Sequence, residues 1–137
     1  MNIEVGMSAQ FSKTIGESDV YSMAGIIGDF NPVHVDEQYA KDTIFKGRIA
    51  HGVIGIGLIS TVAGMKLPGP GSIYLDQQVK FRSPIHFGET ATATISIEEV
   101  NRDNGKVKAK TEVHVGDRLV ITGSALFLVP EIKESKS

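Results

Sequence analysis

The chain contains no cysteine. That absence removes disulfide frameworks, thiolate nucleophiles and thiolate metal sites together, and it suits a cytoplasmic protein. An excess of positive charge is missing too: 14 Lys and Arg stand against 16 Asp and Glu, a net of −2, with no basic cluster. Nucleic acid is thereby excluded as a partner. No hydrophobic run is long enough for a membrane. The most apolar stretch, Ile49 to Met65, falls just short of a span, carries His51 near one end and is rich in glycine, so a buried helix is expected. The opening residues, Met1-Asn2-Ile3-Glu4-Val5, lack the basic and apolar regions of a signal peptide. The 137 residues, 41% of them hydrophobic, make one domain able to bury roughly two thirds of its unfolded surface. Its core is expected over about residues 8 to 130, with a solvated tail over 131 to 137.

Taken in order, Gln10 to Ile15 reads as a short strand, and Thr14-Ile15-Gly16-Glu17 as a capping box opening a helix over Ser18 to Ile27. Val20, Met23, Ala24 and Ile27 share one face at helical spacing. Asp36 is an N-cap candidate for a short helix reaching Lys41. The stretch Ile49 to Met65 is apolar on all sides, which predicts a helix enclosed by the rest of the protein. Each interior glycine there costs about 1 kcal/mol against alanine, so their density calls for close approach of a sheet or a ligand. Leu67 to Ser72 is a break. Four strands are predicted after it: Ile73 to Phe81, Thr90 to Val100, Val107 to Val115 and Leu119 to Val129. Alternation gives the second and third one buried and one wet face, and the turns at Asp103-Asn104-Gly105 and Gly116-Asp117 make the last three consecutive and antiparallel. The last strand, apolar on both faces, is expected near the sheet centre. The fold class is therefore α+β, a curved antiparallel sheet wrapping a long helix. The free sheet edge suits pairing with a second copy.

The chemistry concentrates in Gly28-Asp29-Phe30-Asn31-Pro32-Val33-His34. On a continuous helix, a five-residue step turns a side chain by about 140°, so Asp29 and His34 converge only in a bend. Gly28, Asn31 and Pro32 supply it. A carboxylate beside an imidazole is an acid/base pair for neutral pH. The plainer alternative is a capping aspartate and a histidine satisfied by backbone. A metal set of His34, Asp36 and Glu37 lacks the spacing of helical zinc sites. His51 stands at the head of the glycine-rich helix, beside a ligand or in a structural role. The free N–H groups of that helix around Gly52 suit an oxyanion, and Ser60, about two turns later, lies close to the same face. His86 and His114 read as surface histidines. Lys80 and Arg82 either meet a phosphate or are simply solvated.

The segment from Gly28 to His34, followed by Ala40, resembles the hydratase 2 motif of MaoC-like (R)-specific enoyl-CoA hydratases. His51-Gly52 opening an apolar helix and Gly71-Ser72-Ile73-Tyr74-Leu75 opening a strand resemble the same family. The resemblance spans about residues 8 to 129. It implies a hot-dog fold, usually a homodimer, and reversible syn hydration of a trans-2-enoyl-CoA to an (R)-3-hydroxyacyl-CoA. It implies no metal and no redox cofactor, coenzyme A being part of the substrate. The matching catalytic positions are Asp29 and His34, with Ser60 and the Gly52 amide in support. Asn31 shapes the loop, and His51 and Phe30 are candidate substrate contacts. The competing readings are a (R)-3-hydroxyacyl-ACP dehydratase, a hot-dog thioesterase and a non-catalytic acyl-CoA-binding subunit. The thioesterase is disfavoured because Ile49 to Met65 holds no Asp or Glu.

Overall fold

Alternation along the strands decides which side of the sheet is dry. In β4 (Lys106–Val115), Val107, Ala109, Thr111 and Val113 are buried while Lys106, Lys108 and Lys110 are exposed. In β3 (Glu89–Asn101), Ala91, Ala93, Ile95 and Ile97 are buried in the same way. The computed structural model, which describes residues 2–132, lays these dry faces against one long helix, α4 (Gly52–Met65). Ile54, Leu58, Ile59, Val62 and Ala63 of α4 are buried there, and full burial of each large aliphatic contributes roughly 1.5–3 kcal/mol.

The sheet is wholly antiparallel. Its order is β1-β3-β4-β5-β2, with β1 at Ser8–Ile15, β2 at Ile73–Phe81 and β5 at Arg118–Leu128. The two hairpins expected from the glycine turns are present. β5 is interior, as its apolar composition implies, although β4 occupies the middle and β2 closes the far edge. Three short elements complete the chain before α4: α1 (Glu17–Ile27), α2 (Pro32–Val35) and α3 (Glu37–Ala40), the last capped by Asp36, whose carboxylate accepts from the Tyr39 N–H at 3.2 Å.

Several expectations are corrected. The N-cap of α1 is Gly16, whose N–H donates to Asp19 Oδ2 at 2.8 Å, while Thr14 stays in β1 with its hydroxyl 2.7 Å from that of Thr90. The buried face of α1 ends at Ala24, since Ile27 is 50% exposed. Pro130–Ile132 forms a 3-10 turn that buries Ile132, so the solvated tail does not begin at 131; residues 133–137 lie outside the described region. Finally, α4 is not enclosed within this chain. Val53, Gly57, Ser60 and Gly64 form an exposed face.

The glycines of α4 divide along the same line. A Cβ on Gly52 would stand 2.7 Å from the Phe81 ring, and one on Gly55 would stand 2.4 Å from Ile121 Cδ1. Both glycines let the sheet come close. Gly57, on the exposed face, has open space.

Candidate active site

The bend between α1 and α2 is built from local hydrogen bonds. Gly28 ends α1 with φ 78°, a left-handed conformation that favours glycine, and its N–H donates to the Ala24 carbonyl at 2.8 Å. Asp29 Oδ1 accepts the Asn31 N–H at 3.2 Å, Asn31 Oδ1 accepts the Val33 N–H at 3.2 Å, and Pro32 opens α2. His34 is thereby carried back toward Asp29.

A second segment fixes the ring. The Ile49 N–H donates to the Val33 carbonyl at 3.0 Å, and the Ile49 carbonyl accepts His34 Nδ1–H at 2.7 Å. The Ala50 N–H donates to Ile85 O at 2.8 Å, so residues 49–51 are held between α2 and the loop after β2. Outside this layer Arg48 pairs with Glu17 and Glu37 at 2.9 and 3.0 Å and donates to the Tyr21 hydroxyl, which in turn donates to Val35 O. Glu37 is thus engaged with Arg48 and Asp36 with a helix cap, which leaves neither beside His34 as a metal ligand.

His51, the N-cap of α4, is 2% exposed. Its Nε2–H donates to the Asp29 carbonyl at 2.9 Å, and its ring stacks on His34 with centroids 4.0 Å apart. One histidine therefore touches both halves of the acid/base pair. Polar atoms of Asp29, His34 and His51 all lie within 4.8 Å of one another. Each imidazole spends one nitrogen on a backbone carbonyl, so His34 presents Nε2 with its lone pair free, whereas His51 Nδ1 is buried and has no hydrogen-bond partner among the described residues. A carboxylate and two imidazoles form a set that a divalent cation accepts, yet the same set equally holds a water molecule.

Beside this cluster opens a cavity of about 570 Å³, its lining mostly apolar. His34, His51, Gly52 and Phe81 contribute to it, together with Phe45 and Ile85. Asp29 is exposed at the flank of the cluster. Of the remaining candidates, Asn31 caps α2, Phe30 is 62% exposed outside the cavity lining, and Ser60 lies on the exposed face of α4. Sequence reasoning missed the Ile49 carbonyl and the Phe81–Ile85 wall, which carry no local signal because their partners lie 15 or more residues away in the chain. His86 is not free either, since its Nε2–H donates to Phe45 O at 2.8 Å.

Burial holds the His34 imidazole below its ordinary pKa, with His51 adding to the shift and the Ile49 carbonyl and Asp29 opposing it. The ring is neutral at neutral pH. An acid limb of kcat/KM caused by His34 is accordingly expected below the ordinary histidine value of about 6.5, and a limb lying above it in a pH-rate profile would contradict the geometry. As pH falls the unfolded chain takes up this proton first. The contribution to stability is full above about 6.5 and is lost as pH drops through the lower folded value.

A long helix half wrapped by a five-stranded antiparallel sheet, with a carboxylate and an imidazole beside an apolar cavity at its N-terminus, is the architecture of a hot-dog fold. The chain belongs to the MaoC-like family: the MaoC like domain matches residues 2–118. It is similar to an (R)-specific enoyl-CoA hydratase of Rhodospirillum rubrum, 46% identical over 94% of this chain and 90% of the relative. A 3-hydroxybutyryl-CoA dehydratase of Methylorubrum extorquens is 39% identical over 98% and 85%. The solved (R)-hydratase from A. caviae involved in PHA biosynthesis superposes with a TM-score of 0.90 at 36% identity, covering 93% of this chain and 98% of that one.

Proposed function

We infer that this protein is an (R)-specific enoyl-CoA hydratase, a hydro-lyase that adds water reversibly across a trans-2-enoyl-CoA to give an (R)-3-hydroxyacyl-CoA. The observation that carries the reading is the convergence of the Asp29 carboxylate and the His34 imidazole within 4.8 Å at the edge of an apolar cavity. The identity to hydratases over most of the chain supports it. Water has two O–H bonds, and Asp29 and His34 Nε2 offer two acceptors, which orients the oxygen lone pair at C3. As the C3–O bond forms, one water proton passes to Asp29 and the alkene electrons move onto the thioester oxygen as an enolate. That proton returns to C2 on the same face, through Asp29 or by way of His34. Such positioned proton transfer contributes about 10²- to 10⁴-fold.

The enolate needs donors. The N–H of Gly52, first residue of α4, has no preceding helical turn to bond it and carries the positive end of the helix dipole. Gly52 lines the cavity beside His34 and His51, so a thioester bound there meets its N–H, whereas Ser60, on the exposed face of α4, stands outside that lining. The chemistry requires no metal and no redox group. His51 braces Asp29 through its carbonyl and His34 through the ring stack.

Two features support a homodimer. β2 is an edge strand with Ile73, Leu75 and Phe81 about half exposed, and α4 leaves Val53 and Met65 uncovered. Pairing of two such edges satisfies the free backbone groups and covers this surface. Light scattering is expected to give about twice the 14.7 kDa chain mass, and a monomer at assay concentration would remove the dimer from the reading. Among the described residues no helix is long and apolar enough to cross a membrane, and with no cysteine the chain fits a cytoplasmic enzyme of fatty acid metabolism. Loss of the enoyl absorbance of crotonyl-CoA on addition of the protein tests the reaction itself; an unchanged spectrum would argue for a binding subunit instead.

A further inference from the structure

Next to the mouth of the cavity the outer face of the sheet carries a second cleft of about 280 Å³. Gln78, Lys80, Arg82, Thr122 and Ser124 supply its polar side chains. Arg82 also lines the larger cavity, so the two spaces share a wall. Each of the five side chains can donate a hydrogen bond, and among the described residues the lining holds no carboxylate. A lining of that kind selects an anion.

Both cations are uncommitted. Among the described residues Lys80 and Arg82 enter no ion pair, whereas Lys13, Arg48, Lys110 and Arg118 each hold a carboxylate. The carboxylate in the same cross-strand row is Glu112, opposite Thr122, which is itself opposite Lys80. Glu112 is already shared by Lys110 and His114, at 2.6 and 3.3 Å. Among the described residues nothing in the cleft neutralises the two positive charges.

We propose that Lys80 and Arg82, backed by the hydroxyls of Thr122 and Ser124, form an anion subsite that takes the phosphates of the coenzyme A nucleotide. The proposal rests on the enoyl-CoA reading and names which part of this fold recognises the carrier. A coenzyme A thioester is apolar at its acyl end and multiply anionic at the other. It therefore needs a dry cavity and a cationic platform within reach of one extended molecule, which Arg82 joins here. The guanidinium offers phosphate a planar fork and Lys80 a point charge. A small cleft with two cations matches phosphate groups better than the broad acidic surface of a carrier protein.

The test compares crotonyl-CoA with crotonyl-N-acetylcysteamine, which has the same reacting thioester and no phosphate. Hydration of either by the wild-type protein establishes the reaction independently of the subsite. For Lys80→Ala and Arg82→Ala the KM for crotonyl-CoA at low salt is expected to rise about tenfold, equivalent to ~1.4 kcal/mol. The loss in kcat/KM is expected to be several-fold larger on crotonyl-CoA than on the truncated thioester. Raising the salt should bring the wild-type KM toward that of the variants, because both cations are exposed. Lys106→Ala, on the same sheet face but outside the cleft, serves as the control with unaltered KM. Calorimetry with free coenzyme A gives a readout without turnover, and its affinity should fall in step with the KM changes. Unaltered KM and affinity in both variants, or equal losses on both thioesters, would overturn the subsite. A loss confined to a crotonyl acyl-carrier protein would overturn it too, making the patch a protein-docking surface.

Discussion

Asp29→Asn is expected to lower kcat for crotonyl-CoA hydration by about 10²- to 10⁴-fold while the protein stays folded. Asparagine keeps the side-chain oxygen that accepts the Asn31 N–H, so the bend survives. It removes the proton acceptor. Because Asp29 is exposed, the substitution leaves no buried group unpaired. His34→Gln is expected to cost about as much for a complementary reason: glutamine still offers an N–H to the Ile49 carbonyl that His34 Nδ1–H now serves, but it supplies no base in place of Nε2. Steady-state rates with circular dichroism on the same samples separate lost chemistry from lost structure. Near-wild-type turnover by either variant would show that the pair does not carry the water addition.

Gly123→Ala is expected to have the largest effect on stability. Its Cβ would lie 1.9 Å from the Gln78 carbonyl oxygen and 3.1 Å from Val79 Cα, both backbone atoms of the facing strand, so no rotamer change relieves the overlap. β2 must move. Overpacking costs typically 1–3 kcal/mol, and a backbone clash belongs at about 3, which for a domain of this size lowers Tm by roughly 10 °C. Gly57→Ala makes the contrast. Among the described residues nothing lies within 4 Å of its Cβ, and glycine inside a helix is about 1 kcal/mol worse than alanine, so stability is expected to hold or rise. Thermal unfolding of the two variants side by side checks both directions. Because β2 leads into Phe81 and Arg82 on the cavity wall, Gly123→Ala is also expected to raise KM.

The pattern of the chain carried the fold where a local period or turn was present. The alternation of Ala91, Ala93, Ile95 and Ile97 marked a dry face, and the glycine turns at 105 and 116 fixed two hairpins. The place of β2 was not legible. It joins β5 across separations that start at 40 residues, at Phe81 opposite Ile121, with no turn between them to signal the pairing. Hydropathy predicts an enclosed helix over Ile49 to Met65 because the outward residues, Val53, Gly57 and Gly64, are apolar or small, and it does not distinguish a covered face from one left for another surface. The capping box at Thr14 failed because cross-strand bonding to Thr90 claimed its hydroxyl and Asp19 satisfied Gly16 instead.

At the site, the bend between Asp29 and His34 follows from Gly28, Asn31 and Pro32, since each acts on its own neighbours. Its supports do not. The tie from His34 to Ile49 and the brace from His51 to Asp29 join residues 15 and 22 positions apart, and only the folded chain shows them. Gly52 came out differently from either expectation taken alone. It admits the Phe81 ring and also stands at the open N-terminus of α4, so one residue serves packing and the proposed enolate site.

The most direct measurement is hydration of crotonyl-CoA in deuterium oxide, with the configuration of the product determined at both carbons. Asp29 and His34 serving a single face of the alkene lead to (R)-3-hydroxybutyryl-CoA with deuterium and hydroxyl added syn. An (S) product, anti addition or no hydration at all would contradict the assignment.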